Sequence, residues 1–330
     1  MKKITAIFLT AAALLATCVP ALSGCGGDGA KFTLSEEGGK HYIVRYSSYS
    51  SPTGEYEIPA YYGEGESYAP VTEIADEGFA GTNFSKITVP ETVTKIGVMA
   101  FGYCHYLETV EFADAIKVEK FGNGLFGNCE KLQQIKIPDS VKILDGAVFS
   151  GCTSLSLVEL GSVESIGTRA FASCTALEEI VLPDTLITIG VRAFYKSGLK
   201  SIEIPDNVKD IVDADGGTVY GIGYASFDSC VNLETAKIGS GVTVIPSGAF
   251  GYCKSLKELY LPLSIKEIQG VYLENLAPLY GHAFYYDDAL QDIYYEGSEE
   301  QWKNIKIDYS LYEAYVNNDA LKNARKHYEN

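Results

Sequence analysis

The sequence predicts a β-rich solenoid, in which short strands stack into parallel sheets around one long core. Three observations predict it. One unit, Ala170–Val191, recurs with variations along most of the chain at a period near 23 residues. Each copy carries two short runs of alternating apolar residues, and one copy alone is too small to bury its apolar face. Each copy also carries an anchor phenylalanine, and the anchors are Phe79, Phe101, Phe126, Phe149, Phe171, Phe194, Phe227, Phe250 and Phe284.

Residues 1–24 predict a secretory signal peptide that is not part of the fold. The segment begins with the basic residues Lys2 and Lys3, and the apolar run Ile4–Leu15 follows. That run is short for a membrane-spanning helix, and the chain after it is polar.

The end of this segment predicts a lipid anchor. Leu22–Cys25 (Leu-Ser-Gly-Cys) resembles the lipobox of bacterial lipoproteins, which implies cleavage before Cys25 and acylation of its thiol and new amine. Several acyl chains on one residue suffice for stable membrane anchoring. Residues 25–31 would then be a flexible tether. The alternative is an ordinary signal peptide followed by a chance cysteine.

Residues 32–78 predict an N-terminal β cap that contains one degenerate repeat. His41–Tyr46 has the composition of a strand, and Ser47–Gly54 is rich in turn residues. Glu55–Pro59 and Val71–Ile74 resemble the two strand segments of a repeat. A terminal repeat is expected to be atypical because one of its sides faces water.

The solenoid itself is predicted over residues 79–298. The first strand of a unit follows Leu-x-x-Ile-x-Leu/Ile-Pro, as in Leu132–Pro138 and Leu177–Pro183. Period-two alternation turns its isoleucines inward, and the proline ends the strand because it has no N–H for the ladder. The second strand follows Val-x-x-Ile, as in Val93–Ile96 and Val208–Ile211. Stacking in register then gives parallel sheets with about 4.8 Å between rungs.

Six cysteines lie three residues after an anchor phenylalanine. A zinc site needs close pairs such as Cys-x2-Cys, and the sequence has none. A small or polar residue takes the same place in three other units, which favours a buried column that bonds to neighbouring backbone. A metal site or disulfides between adjacent rungs are the alternatives. The column is Cys104, Cys129, Cys152, Cys174, Cys230 and Cys253, with Thr82, Ser197 and Asp287 in the other units.

The complete unit, Leu-x-x-Ile-x-Ile/Leu-Pro-x-x-Val-x-x-Ile-Gly-x-x-Ala-Phe-x-x-Cys, resembles the BspA-like leucine-rich repeat family of bacterial surface proteins. The resemblance covers residues 56–307, and Ile293–Ile305 resembles the segment that often closes such arrays. It implies a right-handed leucine-rich repeat array displayed at the cell surface. Some members of the family are adhesins for host proteins. The family carries no fixed catalytic residues.

Two units are longer than the others, and both carry their extra residues at the same point of the repeat. The insertions are residues 212–221 and 269–278. They are expected to leave the solenoid from one edge, two rungs or about 10 Å apart. Loops on a rigid scaffold often carry function, although a tolerated insertion is the simpler interpretation. Asp213–Gly216 resembles the start of a calcium loop but lacks the closing acidic ligand, so we expect no metal.

The outward residues of the first strand change from mixed charge to aromatic along the solenoid. This row is Thr88, Glu111, Lys136, Glu159, Val181, Glu203, Lys237, Tyr260 and Tyr294. Exposed tyrosines suit contact with protein or sugar, since each presents a flat apolar ring and one hydroxyl group. Tyrosine also populates strands through its β propensity alone. Together with tyrosines from the two insertions, the candidate ligand-binding residues are Tyr220, Tyr260, Tyr272, Tyr280 and Tyr294.

Residues 299–330 predict a C-terminal helical cap. Glu299–Lys306, with Trp302, is expected to cover the last open rung. Asn318–Tyr328 has the pattern of a short helix, because polar residues can cap its start and basic residues lie in its last turns.

Charge and motifs limit the functions that remain. The net charge of −17 repels nucleic-acid phosphate and anionic lipid, so the solenoid is expected to bind neither. The four histidines are scattered, and the sequence has no Gly-x-Ser-x-Gly, His-Glu-x-x-His or P-loop motif. We therefore expect neither catalysis nor a cofactor.

Three functions are left. The favoured one is a non-catalytic protein, held by lipid on the extracellular face of the bacterial envelope, that mediates adhesion to a host or microbial protein. The second is a surface protein that binds glycans, and the third is a structural envelope protein without a specific ligand.

Overall fold

The chain folds as a stack of rungs. Most rungs contribute two short strands: the first strands pair in parallel along one face of the stack, and the second strands pair in parallel along another. The computed structural model describes residues 29–37, 39–46, 53–212, 218–270, 272–274, 277–309 and 318–329. The predicted signal peptide, Cys25 and most of the tether lie outside the described residues, so they stay predictions.

Most of the described strands have only two to four residues. In the first half of the chain they are β1 (Ala30–Ser35), β2 (His41–Tyr46), β3 (Thr53–Glu57), β4 (Tyr61–Tyr62), β5 (Ala69–Ile74), β6 (Asn83–Val89), β7 (Lys95–Ile96), β8 (Thr109–Phe112), β9 (Lys120–Phe121), β10 (Gln134–Lys136), β11 (Ile143–Leu144), β12 (Leu157–Glu159) and β13 (Ser165–Ile166). In the second half they are β14 (Thr188–Ile189), β15 (Ser201–Glu203), β16 (Ile211–Val212), β17 (Thr218–Val219), β18 (Thr235–Lys237), β19 (Val244–Ile245), β20 (Glu258–Leu261), β21 (Glu267–Ile268), β22 (Tyr272–Glu274), β23 (Ala277–Tyr280), β24 (Asp292–Tyr295), β25 (Lys306–Ile307) and β26 (Arg325–Tyr328).

The first strands of successive units pair in parallel. They form the sheets β3-β6-β8, β10-β12 and β15-β18-β20-β24-β26. Equivalent residues are partners: Ile202 pairs with Ala236, Ala236 with Leu259, and Leu259 with Ile293. All four are buried, so strand alternation sends this row into the core. The register confirms that each unit is one rung with its apolar row inward.

The second strands form a separate parallel arrangement. Its sheets are β9-β11-β13-β14 and β19-β21-β25, and β7 pairs with β5 nearer the N-terminus. Leu144 pairs with Ile166 and Ile166 with Ile189, and all three are buried. Where a glycine follows this strand, the rungs are very close. A Cβ at Gly190 would lie 2.6 Å from the carbonyl carbon of Gly167, which real contacts do not allow.

The anchor phenylalanines form one continuous column in the core, and each of them is 0% exposed. From Phe101 to Phe284, successive rings stack with centroids 5.1 to 5.5 Å apart and planes within 17° of parallel. The anchors also join the rungs through the backbone, since the N–H of Phe171 donates to the carbonyl of Ala193 at 2.7 Å. The predicted alignment of these units is confirmed.

The turn around each anchor requires left-handed backbone. All of the described non-glycine residues with positive φ lie two positions before or two positions after an anchor phenylalanine. Ala147 (φ 54°) and Ser173 (φ 60°) are examples. This conformation costs a residue with a Cβ about 1–2 kcal/mol. Each rung therefore holds local strain that the packing of its neighbours outweighs.

The N-terminal end is built from β strands, as predicted. β1 and β2 form an antiparallel hairpin, and β2 then pairs in parallel with β5. β3 pairs in parallel with β6, so the degenerate repeat joins both arrangements of strands. A 3-10 turn at Gly65–Ser67 connects β4 to β5.

Both long insertions form antiparallel hairpins whose described strands are β16 with β17 and β22 with β23. Asp213–Gly216, which resembles the start of a calcium loop, lies outside the described residues. The first hairpin corrects one detail of the repeat alignment, since Ile222 and not Ile211 bridges to Ile189 and continues the ladder. The reason is that Ile211 pairs within its own hairpin, which closes where the N–H of Gly221 donates to Asp210 Oδ1 at 2.9 Å.

One predicted first strand is absent. Leu177–Pro183 forms no strand, and the ladder is interrupted between β12 and β15. Of the backbone hydrogen bonds between described residues, the one that joins this segment to the next rung runs from the N–H of Lys200 to the carbonyl of Glu178. A single bond makes no ladder, and Val181 is left 84% exposed.

The C-terminal segment departs furthest from the prediction. The helix α1 (Glu299–Lys303) begins at Ser298, whose side chain and that of Gln301 form a capping box. The helix α2 spans only Asp319–Asn323, so the prediction of a helix through Tyr328 is wrong for its second half. There β26 pairs in parallel with β24, because the edge of β24 offers backbone partners that a helix would leave unused. β25 pairs with β21, so this segment supplies two more strands rather than a purely helical cap.

Trp302 and Asn318 close this end. Trp302 packs edge-on against the buried Tyr295, with ring centroids 5.5 Å apart. Asn318 is fully buried, and its Oδ1 accepts the N–H of Phe284 at 3.1 Å. In the interior rungs a backbone carbonyl accepts this bond, as Ala283 does for Phe250. The side chain of Asn318 thus replaces the carbonyl of a missing rung.

The left-handed turns generate a stability prediction at Ala147. Because φ is positive there, Ala147→Val should unfold at a free energy about 1–2 kcal/mol lower than Ala147→Gly. Urea unfolding of both variants measures the difference. Ala176, whose φ is not positive, is the matched control: there the glycine variant should not be the more stable of the two. If the glycine variant were the more stable one at both positions, left-handed backbone strain would not be the cause at Ala147.

Candidate functional site

An aromatic column lies on the outward face of the first strands at the C-terminal end. Tyr260 on β20, Tyr294 on β24 and His327 on β26 are partners in register. The two tyrosine rings stack with centroids 4.5 Å apart, and the ring of His327 stacks on Tyr294 at 4.6 Å. Parallel pairing in register places equivalent side chains above one another, which is the reason the three rings stack.

A polar row lies beside the aromatic column. The hydroxyl of Tyr260 donates to Glu258 at 3.1 Å. Asp292 Oδ2 accepts a hydrogen bond from Nη2 of Arg325 at 2.9 Å. Its Oδ1 forms an ion pair with Nε of Arg325 at 2.9 Å and lies 2.8 Å from Nε2 of His327. Hydrogen bonds from His327 and Arg325 hold the pKa of Asp292 below its ordinary value. The carboxylate therefore fixes the orientation of the last ring of the column.

Of the five predicted tyrosines, the structure describes the side chains of Tyr220, Tyr260 and Tyr294. Tyr260 and Tyr294 are in contact, whereas Tyr220 lies beside the second strands, where its hydroxyl accepts from Gln269 Nε2 at 3.1 Å. That bond joins the bases of the two insertions and supports the prediction that both leave the same edge. Tyr272 and Tyr280 are backbone partners in the second hairpin, and their side chains lie outside the described part of the chain.

The sequence analysis missed His327 and Arg325 because it assigned them to a helix. In the structure, Arg325–Tyr328 alternates between exposed and half-buried positions, as a strand at a sheet edge does, but its residue types show no apolar alternation that would predict a strand. In the structure, His327 is the next member of the outward row of first-strand residues after Tyr260 and Tyr294.

The cysteine column is a column of free, buried thiols. Each donates to the carbonyl of the anchor phenylalanine one rung earlier, as Cys174 Sγ does to Phe149 at 3.1 Å. Burial raises the pKa of Cys152 and of Cys230 to about 12. Buried thiols with a raised pKa are poor nucleophiles and poor metal ligands. Through the hydrogen bonds to the phenylalanine carbonyls, the column joins each rung to the one before it.

Asp287 occupies the cysteine position in the last of these units. It is 1% exposed, its Oδ1 accepts the N–H of Cys253 at 2.7 Å, and its Oδ2 has no hydrogen-bond partner among the residues that the structure describes. Burial raises the pKa of Asp287 well above its ordinary value, and the neighbouring carboxyl of Asp228 raises it further. Asp228, itself buried, accepts from the hydroxyl of Tyr285 at 2.9 Å.

The described residues contain neither a candidate metal cluster nor a candidate membrane span. No group of three or more His, Cys, Asp or Glu side chains in these segments could hold a metal ion. Within the same segments, no helix has the length and apolar character that crossing a membrane requires.

Comparison with protein families gives one match. A family model described as BspA type leucine rich repeat region, in six copies, matches residues 72–162, 158–214 and 216–298. These segments cover more than half of the chain. No curated protein sequence matches.

Several solved structures are similar to this chain. One is a leucine rich cell surface protein from Faecalibacterium prausnitzii, with 24% identity over 86% of this chain and 98% of the other and a TM-score of 0.49. A leucine-rich repeat protein from Bacteroides capillosus has 28% identity over 40% of this chain and 94% of the other, with a TM-score of 0.35. One from Bacteroides ovatus has 19% identity over 92% and 99%, with a TM-score of 0.38.

The buried carboxyl in the thiol column generates a pH-dependent prediction. Folding raises the pKa of Asp287, so above about pH 4 the unfolded state releases a proton that the folded state keeps. Stability is therefore lost as the pH rises from that point. Relative to wild type, Asp287→Asn should gain about 1 kcal/mol or more in unfolding free energy between pH 4 and pH 7.

Urea unfolding at a series of pH values measures this gain. Asp288→Asn is the matched control, because it makes the same change at the exposed neighbouring position. Parallel stability curves for wild type and Asp287→Asn would show that the Asp287 carboxyl does not cause the loss.

Proposed function

The chain belongs to the BspA-type leucine-rich repeat family, and from this premise we propose that it is a non-catalytic, lipid-anchored protein of the bacterial cell surface that binds a partner protein. The proposal includes a right-handed solenoid displayed on the extracellular face of the envelope. The partner is an extracellular protein of the host or of another microbe, and binding to it mediates adhesion.

The stacked column of Tyr260, Tyr294 and His327 is the observation that carries the proposal. Interfaces are enriched in tyrosine and arginine, and a few such residues supply most of the binding energy. Here the rings are held by their neighbours and by the ion pair of Asp292 with Arg325, so little side-chain entropy is lost on binding. A rigid scaffold with an ordered aromatic surface supports protein recognition better than it supports chemistry on a bound substrate.

Anchoring follows from the sequence motif at Cys25. Acylation there would hold the N-terminal end at the membrane, and the short tether would lead into β1. The aromatic column lies at the opposite end of the array, where a partner meets the least obstruction from the membrane.

The first test removes the aromatic column. Surface proteins of host cells and of co-resident microbes are screened against the immobilised chain, and a captured protein is identified and purified. Tyr260→Ser/Tyr294→Ser should weaken its binding about tenfold or more, because the central rings of an interface dominate its energy.

Tyr103→Ser/Tyr106→Ser is the matched control, since these two tyrosines are 48% and 50% exposed but lie outside the column. Equal binding of the Tyr260/Tyr294 variant and wild type would rule out this face. Binding of wild type to a glycan array, together with loss of that binding in the Tyr260/Tyr294 variant, would favour the glycan alternative. Altered envelope integrity with unchanged adhesion after deletion would favour the structural one.

The second test concerns the anchor. Cys25→Ser should abolish metabolic labelling by a fatty acid and move the protein from the membrane fraction into the medium, because no thiol is left to acylate. Cys18→Ser changes the other cysteine of this segment, which the proposed cleavage discards, and should change neither property. Retention of label in Cys25→Ser would contradict the proposed anchor.

A further inference from the structure

A group of basic and aromatic side chains lies on the turn face, which is the surface formed by the turns around the anchor phenylalanines. We call it the turn-face basic cluster, and it consists of Arg169, Arg192, Tyr195, Lys196, Tyr252 and Lys254. Arg169, Lys196 and Lys254 are exposed, and the others are half-buried. The aromatic column lies on a different face of the solenoid.

Rung-to-rung stacking brings the cluster together. Arg169 and Arg192 hold the same position in successive rungs, and the N–H of Arg169 donates to the carbonyl of Val191 at 3.0 Å. Lys196 follows in the rung of Arg192, and its N–H donates to the carbonyl of Asp228 in the next rung. Positive charges in equivalent positions of adjacent rungs repel each other, so this arrangement costs stability unless an anion lies against it.

The lysines of the cluster are arranged differently from those on the strand faces. There, several lysines form ion pairs with glutamates of the neighbouring rung, as Lys257 does with Glu234 at 2.8 Å. In the cluster, the ammonium of Lys196 lies 5.1 Å from the ring centre of Tyr195, and that of Lys254 lies 4.2 Å from the ring centre of Tyr252. A cation over an aromatic ring keeps its positive charge available to an external anion.

The carboxylates near the cluster are few. Asp228 lies beneath Arg192 and Lys196, but it is buried and accepts from the hydroxyls of Ser229 and Tyr285. Asp288 is exposed in a later rung. The chain has a net charge of −17, so most of its surface repels a polyanion. A patch with an excess of cations attracts one.

We propose that the turn-face basic cluster binds an acidic polysaccharide. Tyrosine rings pack against the apolar faces of sugar rings, their hydroxyls bond to sugar hydroxyls, and the cations bind carboxylate or sulfate groups. Lys196 and Lys254 lie two rungs apart, about 10 Å, so a linear polymer with regularly repeated charges can reach both. The site is independent of the aromatic column and gives the protein a second ligand class.

The test measures binding of the full chain to four soluble probes by biolayer interferometry. Heparin represents sulfated and polygalacturonate carboxylated polysaccharides, dextran is the neutral polysaccharide, and poly-glutamate is the acidic peptide. Wild type should bind heparin, polygalacturonate or both, with an affinity that falls as salt is added, and should not bind dextran. Lys196→Gln/Lys254→Gln should weaken this binding about tenfold or more.

Lys136→Gln/Lys266→Gln is the control, because it removes the same charge from exposed strand-face lysines and should bind as wild type does. Thermal unfolding of both double variants establishes that they fold. The proposal would be overturned if wild type bound neither acidic polysaccharide. It would also be overturned if Lys196→Gln/Lys254→Gln bound as tightly as wild type, or if Lys136→Gln/Lys266→Gln lost as much binding. Tighter binding of poly-glutamate than of both polysaccharides would assign the cluster to an acidic peptide instead.

Discussion

The ladder of backbone hydrogen bonds from each rung to the next is the interaction on which the rest of the structure depends. Most units of this chain have strands of two to four residues, and a single unit cannot close a core of its own. Pairing in register removes that difficulty, since it covers the apolar row of every rung with the same row of its neighbour. It also forces equivalent side chains into columns. The phenylalanine stack, the thiols and the tyrosines of the aromatic column are three results of that one constraint.

The rungs at the two ends have a neighbouring rung on one side only. The backbone and apolar surface left on the other side are covered differently at each end. At the N-terminal end an antiparallel hairpin, β1 with β2, replaces the preceding rung. At the other end β25 and β26 continue both arrangements of strands, and Asn318 presents an amide oxygen where the next backbone carbonyl is missing. The strand at this end carries Arg325, Lys326 and His327, and charges on an edge strand discourage pairing with another chain.

The repeated features were accessible from the sequence because the same residue types recur at one spacing. Nine copies of an anchor such as Phe171 predict the column, the parallel register and the inward row, even though no single strand is long enough to identify alone. Features that occur once had no such support. Nothing periodic indicates that β26 follows a short helix or that the ladder is interrupted at Val181. The turn-face basic cluster was also missed, because its members are far apart in sequence and only the geometry of the turns brings them onto one surface.

The hydrogen bonds between rungs run along the solenoid axis, because bonds in a sheet are directed across the strands. A pull applied between the two ends therefore loads these bonds in tension one interface at a time, rather than shearing many together. Each interface is small and resembles the next, so the array should yield by successive unzipping of single rungs and re-form when the load falls. Among the described residues, two first-strand interfaces have one backbone hydrogen bond in place of a ladder, from Lys200 to Glu178 and from Gln133 to Glu108, so the array should open first at these places. Under tension, such a chain would lengthen rung by rung before it unfolds completely.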